Sequence, residues 1–248
     1  TVQTDLSVHT LRVNIENMVY TGVGSFTGTG NASANTITGG VGNDTLNGAG
    51  GADVINGGGG NDMIIQSSTA GSDFVDGGAD SDTVRIDGDA TSEAFVIYTR
   101  DAAITTGGIS AASLNVNTEI VIVRNGTVIS ELDNVEEILI NTLNVSANDG
   151  NGTPNGGPAS GDTVTVVGDF TTTSLDYSTI TINGGTADDT VDIGGLTSDH
   201  RIVFNSGGGT DNVVGGLRPQ DVFNGSAQVG GANVAAAFEL NEPVERYG

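Results

Sequence analysis

A period of nine residues constrains this chain more than any other feature of its sequence. Between residues 30 and 85 the chain divides into units of nine, with the sequences GNASANTIT, GGVGNDTLN, GAGGADVIN, GGGGNDMII, STAGSDFVD and GGADSDTVR. The two-residue insertion Gln66-Ser67 interrupts the frame between the fourth and fifth units. A fixed period of this kind indicates a repeat architecture in which each unit stacks on its neighbours.

Position eight of every unit is aliphatic. The six residues at this position are Ile37, Leu46, Ile55, Ile64, Val75 and Val84. A single apolar side chain with polar neighbours suits a very short strand that points one side chain inward. Glycines at the head of the units permit the positive φ angles of tight turns. The pattern therefore predicts an all-β solenoid, because stacked units bury a continuous row of side chains that one unit cannot bury alone.

Position six is acidic in five of the six units. Its residues are Asn35, Asp44, Asp53, Asp62, Asp73 and Asp82. Stacked turns place these carboxylates in columns of like charge, which repel one another unless a proton or a cation neutralises them. Oxygen ligands on a glycine-rich backbone suit Ca²⁺, which takes about 6 to 8 oxygens and accepts carbonyls, better than they suit Mg²⁺. The columns therefore predict calcium sites.

This segment resembles the RTX, or haemolysin-type, calcium-binding repeat, which has the pattern GGxGxDxUx. Residues 39–47 and 57–65 match that pattern fully, and the other units match it in part. The resemblance implies a right-handed parallel β-roll in which two units form one coil and several Ca²⁺ ions lie between coils, held by position-six aspartates and turn carbonyls. It implies that Asp44 and Asp62 share one ion and that Asp53 pairs with Asn35. Asn35 stands where the repeat has aspartate, so this second site has one negative charge fewer.

The insertion changes the spacing of the later pairs. Asp53 and Asp73, and likewise Asp62 and Asp82, are 20 residues apart instead of 18, a difference that a bulge can absorb. Asp80 stands at position four, where glycine is usual, and is therefore a candidate for an additional calcium ligand.

Outside the strong repeats the sequence predicts further short strands. We expect a lead-in β segment (1–29), the calcium-binding β-roll (30–85), a strand-rich extension (86–148), a linker or long loop (149–161) and a degenerate solenoid (162–248). Within the extension, residues 94–99, 119–124 and 128–132 are predicted strands, with Asn125-Gly126 as a hairpin turn. Residues 11–22 and 133–141 share the pattern Asn-Ile/Val-Glu before an apolar run, which indicates a recurring strand type.

Weaker copies of the turn recur in the last segment. Residues 184–192 (GGTADDTVD) fit the frame, and residues 206–214 (SGGGTDNVV) fit it loosely. Asp162, Asp189 and Asp211 take the position-six role, the first two being three periods apart. Two alternatives are equal here. One is calcium ligation by Asp188, Asp189 or Asp211, and the other is a solenoid turn without metal.

Composition narrows the classes of function. The chain has 31 acidic and 7 basic residues and a formal net charge of −24, which disfavours nucleic acid and anionic membranes as partners. No apolar stretch approaches the roughly 20 residues that cross a bilayer, so membrane insertion is not expected. There is no cysteine, and no motif of a known catalytic site is recognisable. We therefore expect that the chain is not an enzyme, and that His200, beside Asp199, is a solvent-facing loop residue.

The resemblance implies a secreted, extracellular protein, exported unfolded through a type I channel and folded by external calcium. We expect a calcium-dependent structural module of a bacterial surface-layer, adhesin or extracellular assembly protein, with self-association or a cell-surface polysaccharide as candidate partners. One alternative is an accessory C-terminal RTX domain of a larger exported enzyme such as a haem peroxidase, since residues 196–224 are weakly similar to such regions. Another is a polysaccharide-degrading β-helix enzyme.

Overall fold

Short strands alternate between two facing sheets as the chain advances. The structure is a computed structural model, and it describes residues 1–67, 71–89, 91–142, 161–175, 179–185, 187–216, 218–229 and 232–235. Residues 149–160 of the predicted linker lie outside the described residues. No helix in the described parts of the chain is long and apolar enough to cross a membrane.

The strands are numbered in chain order. The first sheet contains β1 (Val2–Thr4), β3 (Asn17–Tyr20), β5 (Thr36–Gly40), β7 (Val54–Gly59), β9 (Asp73–Ala79), β11 (Ala94–Thr99), β12 (Ile120–Arg124), β13 (Thr127–Asp133), β15 (Thr163–Gly168), β17 (Thr190–Leu196), β19 (Asp211–Val214), β21 (Ser226–Val229) and β22 (Ala232–Ala235). The second sheet contains β2 (Val8–Thr10), β4 (Thr27–Asn31), β6 (Thr45–Ala49), β8 (Met63–Gln66), β10 (Thr83–Asp87), β14 (Glu137–Asn141), β16 (Thr179–Asn183), β18 (Arg201–Asn205) and β20 (Val222–Asn224).

One strand from each sheet makes one coil of a parallel β-roll, as the resemblance to the RTX repeat implies. β5 pairs in parallel with β7, so that Ile37 lies beside Ile55, and β4, β6 and β8 are parallel neighbours in the second sheet. The six aliphatic residues at position eight are fully buried and line the core between the sheets. Burial of this continuous apolar row stabilises the stack, because each side chain adds roughly 1.5 to 3 kcal/mol on leaving water.

The insertion Gln66-Ser67 does not disturb the stacking. β7 pairs with β9 so that Ile55 lies beside Val75, and β8 pairs with β10 so that Ile64 lies beside Val84. The extra residues are therefore absorbed where β8 ends, as expected for a bulge.

An antiparallel insertion interrupts the first sheet only. β11, β12 and β13 form an antiparallel set, and β13 rather than β11 pairs with β9, while β11 pairs with β15. In the second sheet β14 alone separates β10 from β16. The predicted turn at Asn125-Gly126 joins β12 and β13, with positive φ angles at both residues.

A short helix that the sequence did not predict covers this insertion. Helix α1 (Arg100–Thr105) begins after Thr99, whose side-chain oxygen accepts the Ala102 N–H. Ala103 of the helix packs with Val121 and Val123 in a second apolar cluster, separate from the core between the sheets. The outer face of this part of the first sheet is thus covered, whereas elsewhere the outward side chains of the strands are mostly part-exposed or exposed.

The shared pattern Asn-Ile/Val-Glu marks a turn followed by a strand. Asn14 and Asn134 both have positive φ, at 65° and 50°, a conformation that asparagine tolerates better than most residues. The strands that follow, β3 and β14, belong to different sheets. The prediction of a recurring local element is therefore confirmed, although the two copies face the core from opposite sides.

Candidate calcium-binding turns

The position-six side chains lie along the two edges where the chain passes from one sheet to the other. We call the edge with turns from the first to the second sheet the first edge, and the other the second edge. The first edge carries the Asp62 column, which consists of Asp44, Asp62, Asp82 and Glu136. The second edge carries the Asp53 column (Asn35, Asp53, Asp73) and the Asp189 column (Glu93, Asp162, Asp189, Asp211). The antiparallel insertion separates these last two columns.

Within the Asp62 column, each carboxylate accepts a hydrogen bond from the backbone of its neighbour in the preceding coil. The Asp44 N–H donates to Asp62 Oδ1 (2.7 Å), and the Asp62 N–H donates to Asp82 Oδ1 (2.8 Å). The Asp82 N–H donates to Glu136 Oε2 (2.7 Å), 54 residues further along the chain. The repeated bond fixes one oxygen of each carboxylate against the adjacent coil.

The same bond recurs on the second edge. The Asn35 N–H donates to Asp53 Oδ1 (2.7 Å), and the Asp53 N–H donates to Asp73 Oδ1 (2.8 Å). Beyond the insertion, the Asp189 N–H donates to Asp211 Oδ1 (2.8 Å). Asp162 and Asp189, three periods apart, are direct neighbours as well, because residues 169–175 extend that coil and the Asp162 N–H reaches Asp189 Oδ1 (2.8 Å).

The second carboxylate oxygen distinguishes members of the columns. Oδ2 of Asp53, Asp62 and Asp82 is buried and has no hydrogen-bond partner. Asp44 differs, because the Gly40 N–H donates to its Oδ2 (2.7 Å). A buried carboxylate oxygen without a hydrogen-bond donor is unfavourable, because it has lost its contacts with water and has no contact in their place. These three oxygens are therefore the places where a cation would be stabilised most.

The glycine at position one leaves room beside these oxygens. A Cβ atom added to Gly57 would lie 2.3 Å from Asp62 Oδ2 and 2.3 Å from the carbonyl oxygen of Gly77 in the next coil. At Gly39 the corresponding distances are 2.5 Å to Asp44 Oδ2 and 2.2 Å to the Gly57 carbonyl oxygen. A carboxylate oxygen and a carbonyl oxygen thus converge on one space, which any side chain would fill.

Burial and neighbouring charge make these carboxyl groups reluctant to ionise without a cation. The pKa of Asp62 is raised to about 7, first by burial and then by the nearby carboxylates of Asp82, Asp44 and Asp80, against the opposing backbone hydrogen bond from Asp44. Burial likewise raises the pKa of Asp73 to about 7. The pKa values of Asp53, Asp82 and Asp162 are raised to about 6 for the same leading reason. Near neutral pH the columns therefore favour either a proton or a metal ion.

The donor set fits Ca²⁺ better than it fits zinc. Among the residues that the structure describes, no three His, Cys, Asp or Glu side chains gather into a metal-binding group. An ion in these turns would therefore take many of its ligands from backbone carbonyls, as Ca²⁺ readily does and as zinc does not.

The structure places all nine predicted ligand residues in or beside these turns. Eight are members of the three columns, and they are Asn35, Asp44, Asp53, Asp62, Asp73, Asp82, Asp189 and Asp211. Asp80 is exposed, has a φ of 81°, and accepts the Gly60 N–H at 3.1 Å. It lies on the outside of the turn, and calcium ligation by Asp80 stays a prediction.

Three column members were not predicted as ligands. Asp162 was placed at position six without a ligand role, and Glu93 and Glu136 were missed because glutamate stands where aspartate is usual. Glu93 follows Gly88 by five residues and Glu136 precedes the buried Ile138 by two, so both fit position six of the frame. Burial raises the pKa of Glu93 to about 7. Scanning the frame for either acid would have found both residues.

The expectation for His200 is wrong. Its residue surface is 5% exposed, its Nδ1 lies 2.9 Å from Ser198 Oγ, and its ring packs at a tilt against Phe170. The adjacent Asp199 is exposed, whereas His200 is buried. Adjacent residues face opposite ways here, and the enlarged coil supplies Phe170 as a buried neighbour that sequence spacing did not reveal.

Comparison with known proteins agrees with this geometry. A family model described as the RTX calcium-binding nonapeptide repeat matches four copies, over residues 29–64 and 67–90. No curated protein and no solved structure matches the chain. RTX nonapeptide repeats bind several Ca²⁺ ions per array. Residues 29–90 of this chain therefore contain four RTX calcium-binding nonapeptide repeats.

Proposed function

We propose that this chain is a calcium-dependent structural module of a secreted or cell-surface bacterial protein, of the surface-layer, adhesin or extracellular assembly type, with no catalytic role of its own. Its RTX repeats form a calcium-binding module typical of type I-secreted bacterial proteins. The observation that carries the proposal is the set of buried, unpartnered carboxylate oxygens at Asp53, Asp62 and Asp82. A fold that buries such oxygens in columns depends on a cation for its stability.

The ligands proposed for calcium are neighbouring column members. On the first edge these are Asp44 with Asp62 and Asp62 with Asp82, whose backbones and carboxylates are already joined by hydrogen bonds. On the second edge the corresponding pairs are Asn35 with Asp53, Asp53 with Asp73, and Asp189 with Asp211. Asp80 is proposed as an additional ligand. When bound, Ca²⁺ supplies the positive charge and the oxygen coordination that these turns lack.

Calcium concentration then decides where the chain folds. Extracellular calcium modules have dissociation constants of about 10⁻⁴ to 10⁻³ M, so such turns are empty in a cytosol and filled outside the cell. One ion at ten times its dissociation constant adds about 1.4 kcal/mol to the stability of the folded state. Several ions together are comparable with the roughly 5 to 15 kcal/mol that stabilises a typical domain.

Circular dichroism of the full chain tests the dependence on calcium. Chelation with EGTA is expected to reduce the β-sheet signal markedly, and added Ca²⁺ is expected to restore it at concentrations where Mg²⁺ does not. An unchanged spectrum in chelator would show that the columns need no cation and would refute the folding proposal.

Sedimentation velocity tests the assembly role separately. With calcium bound, we propose that the chain associates with further copies of itself or with a cell-surface polysaccharide. Larger species that appear with Ca²⁺, alone or with added surface polysaccharide, would support this role. A monomer under all these conditions would remove the surface-layer and assembly role while leaving the calcium-dependent fold intact.

A further inference from the structure

One turn near the C-terminal end of the described solenoid carries an arginine in the repeat frame. Residues 216–224 (GLRPQDVFN) fit the period, with Asp221 at position six and Phe223 at position eight. The structure supports this frame, because Phe223 lies beside Phe204 of the preceding coil in the parallel pairing of β18 with β20. Position three, which is glycine, alanine or valine in the six strong units, is Arg218.

Asp221 occupies the place that aspartates occupy in the Asp62 column. It belongs to a turn on the same first edge, between β19 and β20, and its residue surface is 8% exposed. Its Oδ1 accepts the Ile202 N–H from the preceding coil at 3.0 Å, just as Asp62 Oδ1 accepts the Asp44 N–H. The two aspartates therefore make the same contact with the preceding coil, although the Asp221 N–H donates to the Arg218 carbonyl oxygen (3.0 Å) and the Asp62 N–H to Asp82 Oδ1.

The difference lies in what faces the carboxylate. Asp62 Oδ2 has no partner, whereas Asp221 Oδ2 accepts Nε of Arg218 at 2.9 Å and Asp221 Oδ1 accepts Nη2 of Arg218 at 2.7 Å. This two-pronged contact is the strongest geometry for an arginine and a carboxylate. The negative charge of Asp221 is therefore neutralised within the chain.

The same guanidinium also contacts the preceding turn. Nη1 of Arg218 donates to the carbonyl oxygen of Ser198 at 2.6 Å, and Nη2 donates to the carbonyl oxygen of His200. One positively charged group thus contacts a position-six carboxylate and two turn carbonyls of the adjacent coil. These are the oxygen types that Ca²⁺ takes as ligands.

We propose that Arg218 supplies the positive charge at this turn in place of a Ca²⁺ ion, so that the turn is completed without metal. A guanidinium stays charged at any pH the protein meets, and its planar fork suits a carboxylate and carbonyls held in fixed positions. On the second edge, Arg124 lies 3.5 Å from the buried carboxylate of Glu93, a related arrangement with a longer contact. The inference rests on the proposed loading of the other turns with calcium.

The number of Ca²⁺ ions released on unfolding tests the inference in the full chain. This number is the slope of the unfolding free energy against the logarithm of free Ca²⁺, divided by RT. Asp221→Asn is expected to leave the wild-type number unchanged, whereas Asp62→Asn is expected to lower it. A fall in the number for Asp221→Asn would show that this turn binds calcium and would overturn the inference. A wild-type slope of zero would instead refute the proposed function.

Removal of the guanidinium gives the complementary result. Arg218→Ala opens the oxygens of Asp221, Ser198 and His200, so the variant is expected to release one more Ca²⁺ ion than the wild type and to be stabilised more by calcium. Arg201→Ala, which removes an exposed arginine from β18, is the matched control and should keep the wild-type number. If Arg218→Ala lowers stability equally at every calcium concentration, Arg218 is an ordinary hydrogen-bond donor and the inference is wrong. If Arg218→Ala does not fold, the Asp221→Asn result decides.

Discussion

Asp62→Asn is expected to change the sign of its effect on stability between calcium and chelator. Asparagine keeps an oxygen for the hydrogen bond from the Asp44 N–H, which is 2.7 Å long in the wild type. It replaces the buried, unpartnered Oδ2 with an amide NH₂ that converges with the Gly77 carbonyl oxygen on the space beside Gly57. The variant therefore loses a calcium ligand and also loses a charge that is costly to bury when calcium is absent.

The magnitude in chelator follows from the pKa of Asp62. Burial raises this pKa from 3.8 to about 7, so the folded state holds the proton more tightly than the unfolded state. The resulting stabilisation is fully present below about pH 4 and is lost as the pH rises through about 7. The complete shift corresponds to about 4 kcal/mol, and relaxation of a surface turn reduces this to about 2 kcal/mol. Asparagine cannot ionise, so the variant should be more stable than the wild type by about 2 kcal/mol near pH 7.5 in chelator.

The magnitude in calcium follows from the number of ions that Asp62 helps to bind. Loss of one ion held at ten times its dissociation constant lowers stability by about 1.4 kcal/mol, and loss of two lowers it by about 3 kcal/mol. Asp62 lies between Asp44 and Asp82 in its column. If the substitution prevents calcium binding at the sites on both sides of Asp62, we expect the loss of about 3 kcal/mol.

Urea unfolding followed by far-ultraviolet circular dichroism measures both effects. In chelator, trimethylamine N-oxide is added so that the unfolding transition of the wild type and of the variant can be measured, because this osmolyte favours the folded state of both. Asp5→Asn removes the same charge at an exposed position and should behave like the wild type in both conditions. If Asp62→Asn is destabilised by the same amount with and without calcium, Asp62 is only a hydrogen-bond acceptor and the role assigned to its Oδ2 is refuted.

Three further predictions concern the turn glycine, the core and pH. Gly57→Ala should weaken calcium binding in a calcium titration and destabilise the fold by about 1 to 3 kcal/mol, because the added Cβ would lie 2.3 Å from two oxygen atoms. Gly59→Ala is the control and should have little effect, because a Cβ added there has no atom within 4 Å. Ile55→Ala should cost about 2 to 5 kcal/mol in urea unfolding, while Val54→Ala, at a position that is 45% exposed, should cost less than about 1 kcal/mol. In chelator, the wild type should be more stable near pH 5 than near pH 7.5, because the raised pKa values of the column carboxylates mean that the folded state binds protons more tightly than the unfolded state. The opposite trend in urea unfolding would contradict the burial of these groups.

The period of nine predicted the stack, the inward row and most of the position-six residues. The resemblance to the RTX repeat added that two units form one coil, which is why Ile37 and Ile55, 18 residues apart, were expected side by side. The antiparallel insertion could not be placed in this way. Its strands and its turn at Asn125-Gly126 were predicted, but the pairing of Ser130 with Asp73 joins residues 57 positions apart and depends on how the whole hairpin packs. Helix α1 is stabilised by that packing, and six residues carry too little periodicity to indicate it.

The candidate site was predicted least well where a different residue type takes over a familiar position. Glu93 and Glu136 continue columns of aspartates, because the Glu93 N–H donates to Asp162 Oδ1 and the Glu136 Oε2 accepts the Asp82 N–H. Asp221 was overlooked because arginine and proline occupy positions three and four of its unit, where the repeat has small residues. The backbone frame persists through these substitutions, since burial of position eight, and not the turn sequence, maintains the stacking.

An asparagine ladder on the outer face of the second sheet shows why aspartate columns require a cation. Asn141, Asn183, Asn205 and Asn224 each donate from Nδ2 to the side-chain oxygen of the preceding member, at 2.6 to 2.8 Å, and the first bonds to Asp87. An amide carries both a donor and an acceptor, so a stack of amides satisfies itself at the spacing of parallel strands. A carboxylate has no donor, and at Asp53, Asp62 and Asp82 one oxygen obtains a backbone N–H while the other has no partner. A stack of asparagines therefore needs no metal, whereas we expect these aspartates to need a cation, whether that cation is calcium or, at Asp221, the guanidinium of Arg218.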